Sequence, residues 1–153
     1  MKHDSHAKPL YLEDIAPGDE FRSAEHRIDA AQIIEYARQF DPQPFHIDED
    51  AAQDTFFRGL AASGWHTASI TMRLLIDSLP FARGVIGAGG EIWWPRPTRP
   101  GDVLHVRSTV LEITPSRSKP DQALVKVENL TVNQEGEVCQ KLIANLLVFR
   151  RPD

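Results

Sequence analysis

The chain reads as an α+β protein on three observations. Apolar residues in its front half recur at helical spacing, and its back half is a series of Val-, Ile-, Leu- and Thr-rich runs cut by Pro/Gly/Asp turns. Between them lies a segment that is apolar nearly all round, which needs a sheet to wrap it. In order, Leu12 to Gly18 reads as an entry loop with a turn at Pro17-Gly18-Asp19, and Glu20 to Ile28 as a first strand. Asp29 has the chemistry of a helix N-cap, with Gln32 three residues on to complete a capping box. Ile33, Tyr36, Ala37 and Phe40 fall at i, i+3, i+4 and i+7, which predicts an amphipathic helix over Asp29 to Phe40. Asp41-Pro42 ends it, because the residue before proline disfavours helix.

Asp48 to Thr55 reads as a short helix capped by Asp48, and Gly59 to Gly64 as a small, flexible stretch. From Trp65 to Leu79 the apolar positions (Ala68, Ile70, Met72, Leu74, Leu75, Ile76, Leu79) predict a buried helix, with Arg73 and Asp77 pairing at i, i+4 on its polar edge. Gly84 to Trp94, Asp102 to Thr114, Gln122 to Asn133 and Glu137 to Arg150 read as four antiparallel strands in a meander, with Val138, Leu142, Ala144, Leu146 and Val148 alternating on one face of the last. Trp93 and Trp94 are adjacent on a strand and point to opposite faces, one toward the core and the other toward a pocket or an interface.

The totals exclude several classes. With 153 residues, 41% hydrophobic and 25% charged, the expectation is one globular domain over residues 10–153, preceded by a disordered polar tail over residues 1–9 that carries His3 and His6. No apolar run approaches the roughly 20 residues of a membrane span, and the N-terminus lacks the apolar core of a secretion signal. A net charge of −5 argues against a general nucleic-acid binder. Cys139, the single cysteine, cannot form an internal disulfide, fits a reduced cytoplasmic setting, and reads as a buried packing residue.

The segment Phe40-Asp41-Pro42-Gln43-Pro44-Phe45-His46-Ile47-Asp48 carries the chemistry. Five residues fully extended reach about 17 Å, but two prolines favour a bent path that brings Asp41 and His46 to one pocket. A carboxylate and an imidazole sharing one water or substrate form an acid–base pair. Taken singly, Asp41 also serves as a terminator in an Asp-Pro turn and His46 as a half-buried histidine. His66 could reach the same pocket or simply pack, whereas His26 and His105 fall in strand patterns that face solvent or an interface.

Four segments in order make the chain resemble the MaoC-like acyl-CoA dehydratases, the (R)-specific enoyl-CoA hydratases. Phe40 to Asp48 is similar to that family's D-x-N-P-x-H motif, and Ala62-Ser63-Gly64-Trp65 leads into the buried helix. Trp94-Pro95-Arg96-Pro97-Thr98-Arg99-Pro100-Gly101-Asp102 is similar to its P-V-x-x-G-D segment, and Asn133 to Glu137 forms the turn before the last strand. The resemblance runs from about Asp14 to Arg150. It implies a hotdog fold, an antiparallel sheet wrapped around a long helix, in a homodimer or dimer of dimers. It also implies reversible hydration of trans-2-enoyl-CoA to 3-hydroxyacyl-CoA, with no metal or redox cofactor.

By the same resemblance Asp41 and His46 are the catalytic pair, and Gly64 supplies a backbone N–H to the thioester oxygen. Ser63 and Gln43 are expected beside the substrate. Arg96, Arg99, Arg117 and Lys119 are candidates for the coenzyme A phosphates, on the grounds of charge and position. Two positions depart from the family pattern: Gln43 stands where asparagine is usual, and Met72 where some members carry a serine. A hotdog acyl-CoA thioesterase and a non-catalytic acyl-CoA-binding module are the competing readings.

Overall fold

The computed structural model describes residues 8–153, so the expected tail and its two histidines lie almost wholly outside the described residues. A 3-10 turn at Leu12–Asp14 leads into β1 (Glu20–Arg22) and β2 (His26–Arg27), then α1 (Ala30–Phe40), α2 (Pro44–Ile47), α3 (Glu49–Ala52) and α4 (Gly64–Ser78). The rest is β3 (Ile86–Trp93), β4 (Val103–Pro115), β5 (Gln122–Val132) and β6 (Val138–Phe149). The strands form an antiparallel sheet in the order β1-β4-β5-β6-β3, with β2 also on β4. The four long strands fall where the sequence places them. They are not a simple meander, because β3 pairs with β6 and lies at the sheet edge. Close approach on that pairing requires Gly90, where a Cβ would sit 2.3 Å from the Ile143 carbonyl oxygen.

The core lies between one face of the sheet and α4. Ile70, Leu74 and Leu75 pack against a cluster that includes Val106, Val125, Val127, Leu146 and Val148. Each such side chain contributes about 1.5–3 kcal/mol by leaving water. The expected alternation on β6 holds at Ala144, Leu146 and Val148. Cys139 is fully buried, as read from sequence.

Several expectations are corrected. The first strand is two short ones, because Ser23 breaks it: its Oγ donates to the Ala24 carbonyl and accepts the Val106 N–H, while its own N–H goes to the Val106 carbonyl. Half of the capping box forms. Asp29 accepts the Gln32 N–H at 2.8 Å, but the Gln32 side chain turns to His26 and the Arg27 carbonyl instead of the cap. In α1, Ile33 and Ala37 are buried, whereas Phe40 lies past the packed surface, 68% exposed against Tyr36. α4 is buried only on the side facing the sheet. Trp65, Met72 and Ile76 form an exposed apolar stripe, because one chain's sheet covers one side of a helix. The Gly59 to Gly64 stretch is not a loose loop. Leu60 to Ser63 are buried, and the Ala61 and Ala62 N–H groups bond the Phe45 and Thr98 carbonyls.

Candidate active site

The α1 helix stops at Asp41, which becomes its C-cap with φ −156° and an N–H still bonded to the Ala37 carbonyl. Three residues on, Pro44 opens α2, a single turn not foreseen from sequence, since proline suits a first helical position. The turn swings His46 back toward Asp41, and the two side chains meet with His46 Nε2 3.3 Å from Asp41 Oδ2. His46 is buried, and its Nδ1 lies 2.6 Å from the Ala61 carbonyl oxygen. A carbonyl only accepts, so Nδ1 donates to it, and Nε2 is the nitrogen left to exchange a proton with Asp41 and the cavity.

Three groups converge on the Asp41 carboxylate. Gln43 Nε2 donates to Oδ1, Ser63 Oγ donates to Oδ2 at 2.7 Å, and His46 stands against Oδ2. Partial burial acts to raise the Asp41 pKa, but the Gln43 and Ser63 hydrogen bonds and the His46 charge outweigh it and hold the carboxyl below the ordinary aspartate value. Asp41 is therefore a carboxylate at neutral pH. The extra methylene of Gln43, relative to asparagine, lets its amide reach back across the turn to this carboxylate.

Ser63 is completely buried with its hydroxyl directed at Asp41, so it supports the acid rather than lining an oxyanion site. It precedes Gly64, the first residue of α4, whose leading N–H groups have no partner within the helix. Gly64 packs under Trp94: a Cβ there would fall 2.7 Å from Cε2 of the indole. Trp94 donates its Nε1–H to Gln140 at 2.9 Å and packs edge-on against Trp65. Neither tryptophan of the pair is core; Trp93 and Trp94 are 46% and 39% exposed, and Trp94 walls the cavity. Met72 lies on the exposed stripe of α4, while the adjacent Thr71 is buried.

A cavity of about 410 Å³ opens beside His46 and Gly64. Its walls are Phe56, Phe57, Trp94 and Pro95, and Thr67, Thr98 and Cys139 line its buried side. A larger hollow of about 460 Å³ lies on the sheet among Glu20, Arg22, Arg107 and Glu128, and holds neither Asp41 nor His46. The basic candidates divide. Arg96 lines the cavity and pairs with Glu137 at 2.8 Å. Arg99 is committed elsewhere: its guanidinium donates to the carbonyls of Phe57, Gly59 and Leu60 and pins the segment covering His46, so it is not a free phosphate ligand. Arg117 and Lys119 sit in the β4–β5 turn, about 30 Å along β5 from its cavity end, and this chain does not bring them to the site.

His66 is buried away from Asp41, stacked on Tyr36 with ring centroids 4.4 Å apart and its Nδ1 without a partner among the described residues. Burial, and secondarily the nearby His26, pushes its pKa down to about 4. An unfolded histidine binds its proton near pH 6.5, so stability falls as pH drops between about 6.5 and 4. The melting temperature should fall on the order of 5 °C from pH 7 to pH 5, and by less in His66→Phe. Thermal melts of both proteins at the two pH values check this.

Sequence reasoning missed the Ala61 carbonyl, a backbone group with no residue signature, and the Thr67–Thr98 hydroxyl pair, whose partners are 31 residues apart. No group of three His, Cys, Asp or Glu side chains suited to a metal occurs among the described residues, and none of their helices is long and apolar enough to cross a membrane.

Comparison with known proteins places this architecture. Residues 14–133 match the model of the MaoC like domain, so the chain belongs to the MaoC-like dehydratase family, whose class is that of hydratases and dehydratases. The fold is the α+β hotdog expected. The chain is 62% identical to the MaoC-like dehydratase of Rhodospirillum rubrum, with a TM-score of 0.93, covering 94% of this chain and 99% of that one. It is 31% identical over 113 residues to the uncharacterised protein YdeM of Bacillus subtilis, covering 72% of this chain and 79% of that one. It is also 31% identical over 108 residues to an (R)-specific enoyl-CoA hydratase of R. rubrum, covering 70% and 74%.

Proposed function

We propose that the protein adds water reversibly across the double bond of a trans-2-enoyl-CoA thioester to give the (R)-3-hydroxyacyl thioester, with Asp41 as base and His46 as acid. The observation that carries this is the pairing of an ionised, triply supported Asp41 carboxylate with a histidine whose Nδ1 is fixed on a carbonyl and which itself lines a cavity that also reaches the N-terminus of α4.

Water bound between the two side chains loses a proton to Asp41 as its oxygen attacks C3. The electron pair of the double bond moves toward the thioester, and His46, protonated at Nε2, delivers a proton to C2. The developing negative charge on the thioester oxygen is met by the free N–H of Gly64, where the positive end of the α4 dipole adds to it. Transfer of the new Asp41 proton to Nε2 across the 3.3 Å gap restores the pair. No redox step and no metal enters the scheme, and the (R) outcome rests on the family resemblance. Arg96, at the cavity, is the remaining phosphate candidate within one chain.

The acid–base grip is testable at Ser63. Removing its hydroxyl withdraws a donor from the carboxylate, so the Asp41 pKa rises and the acid limb of the kcat/KM profile moves to higher pH. Ser63→Ala should also lower kcat/KM on the order of tenfold, as for loss of a hydrogen bond to a charged group, and Ser63→Thr should recover part of both. The activity itself is tested with a panel of trans-2-enoyl-CoA substrates, following loss of the conjugated thioester absorbance together with free thiol. Absorbance loss without thiol release supports a hydratase, and thiol release supports a thioesterase.

The protein is further proposed to act as a homodimer, or a dimer of two dimers, in the cytoplasm. The exposed Trp65, Met72 and Ile76 stripe and the uncovered β3 edge support self-association, since such surfaces are a liability on a monomer. Light scattering should give at least twice the 17.2 kDa chain mass; a monomer at micromolar concentration would contradict it.

A further inference from the structure

The α4 helix carries two buried threonines, one turn apart, whose hydrogen-bond balances differ. Thr71 donates to the Thr67 carbonyl at 2.8 Å, so its oxygen accepts from Thr131 at 2.6 Å and from Gln140 Nε2 at 3.0 Å. The Gln140 oxygen in turn accepts the Trp94 indole N–H. In this set every hydroxyl proton has an acceptor and every member has a partner, as a structural network requires.

The Thr67–Thr98 pair does not close in this way. The two hydroxyls lie 3.0 Å apart, and each residue is 2% exposed. Together they own two protons, and a single hydrogen bond between them uses one. No carbonyl, carboxylate or amide oxygen among the described residues takes the other. The other proton meets only the Cys139 sulfur, which accepts from Thr98, and a sulfur is a weak acceptor that a substrate oxygen outcompetes. The loop is held to the segment leading into α4 without these hydroxyls, because the Ala62 N–H bonds the Thr98 carbonyl at 2.9 Å. Both threonines line the cavity that also holds His46 and Gly64.

We propose that the Thr67–Thr98 pair is a specificity subsite that donates a hydrogen bond to an oxygen on the acyl group, so that the preferred substrate is a short acyl thioester bearing a hydroxyl, keto or carboxylate oxygen near C4. Position is the second support. Thr67 follows Gly64 by three residues on the same helix face, about 4.5 Å along the axis. A carbonyl seated at the Gly64 N–H therefore places C4 of an enoyl chain near the pair. Aromatic and proline walls grip the carbon chain, and the buried hydroxyl selects the oxygen. A buried donor built for a substrate oxygen rejects the analogue that lacks it far more strongly than an apolar pocket rejects an added group.

This inference rests on the hydratase reading for its kinetic form, but it has a test that does not. The kinetic test compares crotonyl-CoA with its 4-hydroxy and 4-carboxylate counterparts in wild type, Thr67→Val, Thr98→Val and Thr67→Ser. Wild type should favour an oxygen-bearing substrate by tenfold or more in kcat/KM. Either valine variant should collapse that ratio at least tenfold, and Thr67→Ser should restore it. A uniform fall for all three substrates would place the hydroxyls against the pantetheine amides common to every thioester and overturn the proposal. An unchanged ratio would reduce the pair to packing and overturn it as well. If wild type hydrates none of the substrates, the hydratase reading fails, and the subsite is tested by calorimetry with butyryl-CoA and 4-hydroxybutyryl-CoA. Tighter binding of the hydroxy ligand, lost in Thr98→Val, would support the subsite; equal binding would overturn it.

Discussion

Asp41→Asn and His46→Gln should each lower kcat on an enoyl thioester by roughly 10²–10⁴, the usual range for an acid–base group. Both substitutions keep the side-chain shape. The asparagine still offers an oxygen to Ser63 but cannot take a proton from water, and the glutamine still reaches toward the Ala61 carbonyl but cannot shuttle one. Because the two side chains share the 3.3 Å contact, their losses should not add: the double variant should be little worse than the poorer single one. Steady-state kinetics with a melting curve for each variant checks this, and near-normal turnover in either single variant would remove the pair from the mechanism.

Gly64→Ala should be nearly as damaging, for a steric reason. The added methyl would meet three atoms of the Trp94 indole at 2.7, 2.8 and 3.0 Å. The ring cannot yield freely, because its Nε1–H is bonded to Gln140 and it packs against Trp65 in a T-shaped pair. Relief displaces either the indole, which walls the cavity, or the start of α4, which presents the Gly64 N–H. Overpacking of this kind costs about 1–3 kcal/mol in stability, and a misplaced oxyanion donor costs about 10²–10³ in kcat. The tryptophan emission should shift as the indole moves. In a Trp94→Leu background the same Gly64→Ala change should cost much less, and equal cost in both backgrounds would disprove the contact as the cause.

The sequence was most legible where a pattern repeats. The four long strands, α1 and α4 follow from periodicity and from turn residues that punctuate it, and they match within a residue or two. It was least legible where geometry hangs on a single residue. The break at Ser23 depends on a hydroxyl replacing a main-chain bond, and α2 is a one-turn helix too short to show a period. The exposure of Trp65, Met72 and Ile76 could not be read either, since an apolar helix looks the same whether its second side meets its own sheet or another surface. At the site, Asp41 and His46 were visible as residue types in a spacing, and Gly64 only through the family resemblance. The support from Ser63 and Gln43 was visible only as residues nearby. Arg99 shows the opposite case, a charge in a suggestive motif whose guanidinium serves backbone carbonyls.

The most direct measurement of the central claim is the fate of labelled water. The protein is incubated with an enoyl-CoA in H₂¹⁸O and the products are resolved by mass. The account predicts one ¹⁸O in the C3 hydroxyl with the thioester intact, and none when Asp41→Asn replaces wild type. Label in a free carboxylate, with coenzyme A released as thiol, would contradict it and make the same cavity the site of a thioesterase.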